Sequence, residues 1–368
     1  MIDYTNPNLI IETAKIDPGK IAWRSPSNIA LIKYWGKHGR QLPSNPSISF
    51  TLDHAFTETT LEYAPKTGAD QGIDLKFFFH KEEHPAFRDK IVKFLESIHD
   101  IYPFLRQLHL TIRSGNSFPH SAGIASSASS MSALALCLCS LEHELFGTLE
   151  SDQDFHNKAS YIARLGSGSA CRSIFSHLAL WGKSSIAPNS SDDYAVEYSD
   201  VNDIYKSFQD SILIVSAKEK SVSSRAGHAL MDNNVFSKPR FEQARMRLNR
   251  LSESLRSGDL EAFGTIVEDE ALTLHALMMA STPSYLLMEP NSLHIINEIR
   301  AYRKETNLPL YFTLDAGPNI HLLYPGYIRD KVLKFQDEVL LPFCEDKMWI
   351  DDHVGIGPIE LDSDSNLE

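Results

Sequence analysis

Pro119-His120-Ser121-Ala122-Gly123-Ile124-Ala125-Ser126-Ser127-Ala128 lies between an alternating apolar–polar run, Leu108 to Arg113, and a long segment rich in Ala, Leu and Ser. Small residues at the entrance to a helix leave backbone N–H groups free at the positive end of the helix dipole. That is a ready anion site, suited to nucleotide phosphates. The Gly-Lys-Ser/Thr of a Walker loop is absent. The same letters also fit a plain serine-rich helix start with Ser126 or Ser127 as N-cap. His120 reads as incidental.

Outward from this stretch, the first half of the chain is mixed. Lys20 to Ser25, Ser47 to Asp53, Phe56 to Tyr63, Ile73 to His80 and Leu108 to Arg113 read as strands, rich in β-branched and aromatic residues. Phe87 to Ile98, Ser126 to Leu145 and Asp154 to Leu165 read as helices. The second half opens with a strand, Ser211 to Ser216. A helix follows whose Phe241, Ala244, Leu248, Leu251 and Leu255 form an apolar stripe at helical spacing, stopped by Gly258 as a C-terminal cap. Leu260 to Met279 and Ser292 to Arg303 read as further helices, and Leu310 to Leu314 and Ile320 to Tyr324 as strands. A helix with Ile328, Val332, Phe335 and Val339 on one face and a last strand near Met348 to Asp351 complete the fold. The acidic tail from Glu360 to Glu368 reads as disordered. This order predicts an α+β fold with two lobes rather than a doubly wound parallel sheet. The expected lobes are residues 1–200 and 201–368, divided within the polar segment from Ser185 to Ser207.

Bulk composition narrows the function. Hydrophobic residues make up 42% and charged residues 23% of 368, ordinary for a globular protein. A formal charge of −13 argues against non-specific nucleic-acid binding, which runs on basic patches. The longest apolar run, around Met131 to Leu141, is far short of the ~20 residues of a membrane span. The N-terminus shows no secretory pattern. No spacing among the four cysteines suggests zinc or a disulfide framework, and Cys137 and Cys139 fall inside an apolar helical pattern. A cytoplasmic setting is expected, with no membrane and no nucleic-acid partner.

Four more stretches carry chemistry. Arg164-Leu165-Gly166-Ser167-Gly168-Ser169-Ala170-Cys171-Arg172-Ser173 combines glycines that admit an anion close to the backbone, hydroxyl donors, and an arginine fork that matches carboxylate or phosphate. Asn28, Lys33, Tyr34 and Lys37, interleaved with Ile and Leu, can line a cleft and meet a polyanion. Asp315 ends an apolar strand before Ala316-Gly317-Pro318-Asn319, either as turn chemistry or as a base held at a strand end. Ser221-Val222-Ser223-Ser224-Arg225 again joins hydroxyls and an arginine at a helix start. Each alone also reads as a loop, cap or turn. Together they exceed what capping needs and describe a cleft for two phosphate-bearing ligands.

Asn28-Ile29-Ala30-Leu31-Ile32-Lys33-Tyr34-Trp35-Gly36-Lys37 resembles the N-terminal motif of the diphosphomevalonate decarboxylases, a branch of the GHMP kinase superfamily. So do Leu42 to Asn45 with Ser47 to Leu52, the loop Phe118 to Ala128, Gly166 to Ser173, Val222 to Arg225 and Asp315 to Asn319. The first of these and Gly166 to Ser173 are specific to the decarboxylase branch. The resemblance implies a GHMP-kinase-like fold, with a ribosomal-protein-S5-like N-terminal lobe and a ferredoxin-like C-terminal lobe around a deep cleft. It implies ATP-dependent decarboxylation of mevalonate 5-diphosphate to isopentenyl diphosphate, with ATP and Mg²⁺ required and a homodimer expected.

By the same resemblance Asp315, Lys33 and Arg172 are catalytic: proton acceptor, charge partner and holder of the substrate carboxylate. Asn28, Tyr34, Lys37, Ser167, Gly168, Ser169, Ser223, Ser224 and Arg225 bind substrate. Pro119, Ser121, Ala122, Gly123, Ala125, Ser126 and Ser127 cradle the nucleotide, and no metal ligand is assigned. The chain departs from the family at Pro46, at His120 and Ser121, and in a longer extension before Lys20. A relative acting on mevalonate or its monophosphate, or a non-catalytic binder of a phosphorylated ligand, remains the alternative.

Overall fold

The computed structural model describes residues 2–67, 72–118, 126–218 and 222–362. In chain order the first half holds β1 (Gly19–Ala30), β2 (Lys37–His38), β3 (Leu42–Pro43), β4 (Ser47–Pro65), β5 (Asp74–Phe79), β6 (Glu82–Glu83), α1 (Pro85–Ser97) and β7 (Leu108–Asn116). It continues through α2 (Ser126–Phe146), α3 (Asp152–Gly166), a 3₁₀ segment Gly168–Ile174, β8 (Leu178–Trp181) and β9 (Ala195–Glu197). The second half holds β10 (Phe208–Leu213), α4 (Ser224–Leu230), α5 (Ser237–Ser257), α6 (Leu260–Met279) and α7 (Pro290–Thr306). It ends with β11 (Tyr311–Thr313), β12 (Ile320–Pro325), α8 (Arg329–Phe335), β13 (Trp349–His353) and β14 (Ile359–Leu361).

Two sheets organise these elements. The first runs β14-β1-β4-β7-β5-β6, with β8 and β9 continuing from the N-terminal half of β4. All its pairings are antiparallel except β5 with β7. The second is antiparallel in the order β11-β12-β10-β13. The expected α+β, two-lobed architecture is what the chain adopts.

α2 explains why a segment so rich in serine forms a central helix. Ala133 to Leu141 are buried on every side, the mark of a helix enclosed by its lobe. Its serines meet strand hydroxyls and an indole: Ser132 pairs with Ser25 (Oγ–Oγ 2.5 Å), Ser129 with Thr57 (2.6 Å), and Ser140 accepts from Trp23 Nε1 (3.0 Å). Buried hydroxyls are thereby satisfied without charge. α5 buries the stripe Ala244, Leu248, Leu251 and Leu255, and Gly258 closes it at φ +81°, its N–H on Ser254 O. Between the two lobes the rings of Phe50, Phe208 and Phe263 pack tilted and edge to face with centroids 5.1–6.0 Å apart, so the lobes share apolar core.

Two local expectations are corrected. Ser47–Asp53 and Phe56–Tyr63 form one strand, β4. The polar pair Asp53-His54 looks like a break, but the Asp352 carboxylate accepts the backbone N–H groups of Asp53, His54 and Ala55 and carries the strand through. The tail is ordered at its start, because Ile359–Leu361 pairs with Ala22–Arg24 at the edge of the first sheet. Residues 363–368 lie outside the described residues. The N-terminal extension is packed, with Leu9 and Ile16 buried in the first core and Ile11 bonded in both directions to Gln107. All four cysteines are free and buried; burial pushes the Cys171 and Cys344 thiols up to about 12.

Candidate active site

Three chain segments far apart in sequence end at one cavity of about 240 Å³. β1 runs out at Ala30 and delivers Lys33 to Lys37. β11 runs out at Thr313 and delivers Asp315. The 3₁₀ segment after α3 delivers Arg172. Lys33 Nζ donates to Asp315 Oδ1 at 2.9 Å. The Lys33 side chain is 1% exposed and that of Asp315 29%, so the carboxylate faces the cavity and the ammonium backs it. Burial pushes the Lys33 ammonium below the usual lysine value, and the neighbouring Asp315 pulls the other way.

The backbone around Lys33 is fixed from behind. Its N–H donates to Glu270 Oε2 (2.9 Å), and its carbonyl accepts from Asn45 Nδ2 (3.1 Å) and Arg240 Nη2 (3.4 Å). Glu270, fully buried, is held by Arg240 (2.5 Å) and Arg247 (2.9 Å). Asp315 is fixed through its carbonyl, which accepts from His275 Nε2 (3.1 Å) and Gly317 N (2.8 Å).

Arg172 is a buried cation whose hydrogen-bond partners are all neutral. Nε and Nη2 donate to Asn28 Oδ1 (3.2 and 3.0 Å), Nε also to Ser49 Oγ (3.1 Å), and Nη1 to Ser47 Oγ (2.8 Å). Of its five N–H donors, one on each terminal nitrogen is left over. No carboxylate among the described residues touches this guanidinium, and Asp315 acts on it only through space; a desolvated charge is costly, and an anion placed against those two hydrogens offsets the cost.

The rest of the cavity lining is basic and aromatic. Lys37 (Nζ to Gln41 Oε1, 2.7 Å) and Arg225 both line it, and burial together with Arg225 pushes the Lys37 ammonium down. Among the described residues the cavity wall carries four cations, Lys33, Lys37, Arg172 and Arg225, against one carboxylate, Asp315. The −13 of the whole chain is therefore reversed locally. Tyr34 lines the cavity, and its hydroxyl is buried with no partner among the described residues.

Most expected site residues share this cavity: Lys33, Tyr34, Lys37, Ser127, Ser167, Gly168, Ser169, Arg172, Ser224, Arg225 and Asp315. Asn28 lies outside the lining, where its amide accepts from Arg172 and donates to Ser173 Oγ (2.8 Å). Ser223 is likewise a helix cap, its hydroxyl accepting from Ala226 N (3.2 Å). Ser126 begins α2, and Ser127 Oγ lies 3.2 Å from Ser167 Oγ, so the helix start opens toward the cavity. Pro119, Ser121, Ala122, Gly123 and Ala125, and with them His120, lie outside the described residues.

His228 is a cavity residue that sequence reading missed. Its ring sits between Tyr34 and Trp35 (centroids 4.4 and 4.5 Å), and Nδ1 accepts from Gly36 N (3.0 Å). Burial, with Lys37 nearby, pushes its pKa down to about 3. The imidazole is thus neutral near pH 7 and carries its proton on Nε2. Its contacts are with residues some 190 positions earlier, which no local pattern encodes.

Gly168 offers a prediction. A Cβ there would meet the Tyr34 hydroxyl at 2.8 Å and the fully buried Trp181 ring at 3.1 Å. Gly168→Ala is expected to cost about 1–3 kcal/mol by overpacking, read as a lower urea midpoint. Gly166→Ala would meet only the flexible end of Met131 and is expected to cost less. Equal midpoints for the two variants would contradict this.

Comparison with known proteins agrees with the geometry. Residues 25–195 match the diphosphomevalonate decarboxylase-like N-terminal domain, and residues 211–354 the mevalonate 5-diphosphate decarboxylase C-terminal domain. The diphosphomevalonate decarboxylase of Candida albicans is 31% identical over 84% of this chain and 85% of that one. The phosphomevalonate decarboxylase of Haloferax volcanii is 26% identical over 79% and 84%. Among solved structures, the mevalonate diphosphate decarboxylase of Staphylococcus aureus superposes with a TM-score of 0.80 at 28% identity, over 95% of this chain and all of that one. The MDDEF complex with MVAPP, AMPPCP and magnesium superposes with a TM-score of 0.79 at 28% identity, over 94% and 99%. With Lys33, Asp315 and Arg172 meeting in one basic cavity and both halves matched in order, the chain belongs to the diphosphomevalonate decarboxylase family.

Proposed function

We propose that the chain catalyses ATP-dependent decarboxylation of mevalonate 5-diphosphate to isopentenyl diphosphate. The observation that carries this reading is the Lys33–Asp315 pair facing the cavity that the unneutralised Arg172 also lines. The substrate's tertiary hydroxyl cannot leave as hydroxide and must first become a phosphate ester. Asp315 takes the hydroxyl proton as that ester forms. Lys33, 2.9 Å away, balances the charge on the carboxylate before the proton arrives. Arg172 grips the substrate carboxylate with its two remaining N–H groups and aligns the bond that breaks when carbon dioxide and phosphate depart.

Lys37, Arg225, Ser167, Ser169 and Ser224, with the Tyr34 hydroxyl and the glycine surface at Gly168, receive the diphosphate. His228 Nε2–H adds a neutral donor on the same wall. Ser126 and Ser127 at the start of α2 suit nucleotide phosphates, and Pro119, Ser121, Ala122, Gly123 and Ala125 extend that cradle. ATP supplies the phosphoryl group when bound, and Mg²⁺ offsets the charge of its oxygens. We place the chain in the cytoplasm as a homodimer of two-lobed subunits, divided near residue 200. No helix among the described residues is long and apolar enough to cross a membrane.

A monophosphate substrate is the second reading, favoured by the likeness to the Haloferax enzyme. The test is incubation with ATP and each of mevalonate, its 5-phosphate and its 5-diphosphate, following ADP and carbon dioxide. With the diphosphate, the two products are expected in equal amounts. Loss of the terminal phosphate removes charge-assisted contacts to Lys37 or Arg225 and is expected to lower kcat/KM at least about tenfold, taking about 1.5–3 kcal/mol for each such contact. ADP without carbon dioxide means a kinase, binding without either product a non-catalytic relative, and faster turnover of the 5-phosphate the second reading.

A further inference from the structure

Outside the walls of the cavity, β4 of the first sheet passes β13 of the second, with Leu52 bridged to Val354. Asp53, His54 and His353 meet at this crossing. One ligand atom from each lies within 4.8 Å of the others. Asp53 Oδ2 is 3.6 Å from His54 Nε2 and 3.8 Å from His353 Nε2, and the two imidazoles meet edge to face at 4.9 Å.

The three are tied to a single buried carboxylate. Asp352 Oδ1 accepts from the backbone N–H groups of Asp53 (2.9 Å), His54 (2.9 Å) and His353 (2.7 Å), and Oδ2 from Ala55 N (2.7 Å). His54 Nδ1–H donates to the Asp351 carbonyl (2.6 Å). That bond fixes the tautomer and leaves the Nε2 lone pair turned toward Asp53. Outer partners that set the tautomer of a histidine are the usual support of a metal ligand.

We propose that Asp53, His54 and His353 form a Zn²⁺ site that staples the two sheets. Zinc bonds of about 2.0–2.1 Å in tetrahedral geometry set neighbouring donors about 3.3 Å apart. The two carboxylate–imidazole separations, 3.6 and 3.8 Å, stand close to that value, and the third pair of donors lies within 4.8 Å. Two imidazoles and one carboxylate suit zinc and related first-row ions rather than Mg²⁺, which takes oxygen ligands. The site is therefore separate in chemistry from the nucleotide's Mg²⁺. The fourth position faces solvent, because His54 is exposed and the other two are half-buried.

The test uses tag-free full-length protein, stripped with chelator and titrated with Zn²⁺ by calorimetry. X-ray absorption of the zinc-loaded wild type reads the ligand set directly. One equivalent is expected, with a shell of two imidazoles, one carboxylate oxygen and water, and with Zn²⁺ raising the melting temperature. His54→Gln and His353→Gln, checked for folding by circular dichroism, are each expected to weaken binding at least tenfold and to abolish the melting shift. Wild-type protein that binds no Zn²⁺, that binds no more tightly than the double glutamine variant, or whose absorption spectrum lacks two imidazoles would overturn the proposal.

Discussion

Asp315→Asn is expected to lower kcat by about 10²–10⁴, the range for removing a positioned general base, while ATP binds within a few-fold of wild type. Asparagine keeps the size of the side chain and a carbonyl oxygen that can still accept from Lys33 Nζ. What it removes is the ability to take the hydroxyl proton and the charge that faces the buried ammonium. The second loss matters because burial already pushes the Lys33 ammonium down. Without the carboxylate, Lys33 moves further toward its neutral form, so charge stabilisation falls together with base catalysis. Single-turnover release of ADP and carbon dioxide, with nucleotide affinity by calorimetry, separates chemistry from binding. A variant that makes product within tenfold of the wild-type rate would sink the assignment of Asp315 as the base.

Lys33, Asp315 and Arg172 stand out in the sequence through the family motifs that contain them, since each read alone also fits a loop, cap or turn; the fold brings all three to one cavity. The stripe on α5 and its stop at Gly258 were equally readable, since both follow from helical period and a cap that needs positive φ. What supports these residues was not readable. Glu270, buried between Arg240 and Arg247, holds the Lys33 backbone from 237 positions away. On its own helix it looks like one more surface acid. Asn28 has the letters of a ligand contact, yet its amide is consumed by Arg172 and Ser173. Asp352 lies just past the expected last strand, and its carboxylate replaces the ladder bonds that carry β4 through Asp53 and His54. In each case the role of a polar residue is set by a partner more than a hundred positions away in the chain, and periodicity carries no information about that partner.

Arg172→Lys is expected to lower kcat/KM for mevalonate 5-diphosphate by about 10²–10³, the loss typical of one charge-stabilising donor at a reacting group. Lysine keeps the charge, so a purely electrostatic role would tolerate it. A role that depends on two parallel N–H groups would not, because an ammonium offers a point charge where the carboxylate needs a fork. The surroundings sharpen the contrast. Asn28 Oδ1, Ser47 Oγ and Ser49 Oγ are placed for Nε, Nη1 and Nη2, and a lysine leaves most of these buried acceptors unmatched. Asn28→Ala tests the same geometry from behind: the guanidinium stays, but its Nε and Nη2 lose the acceptor that fixes the plane. A smaller loss, about tenfold, is expected. Because Asn28 acts through Arg172, the double variant should be little worse than Arg172→Lys alone. Losses that simply multiply in the double variant would mean that Asn28 meets the substrate independently, and the placement of its amide behind the guanidinium would then not describe the working enzyme.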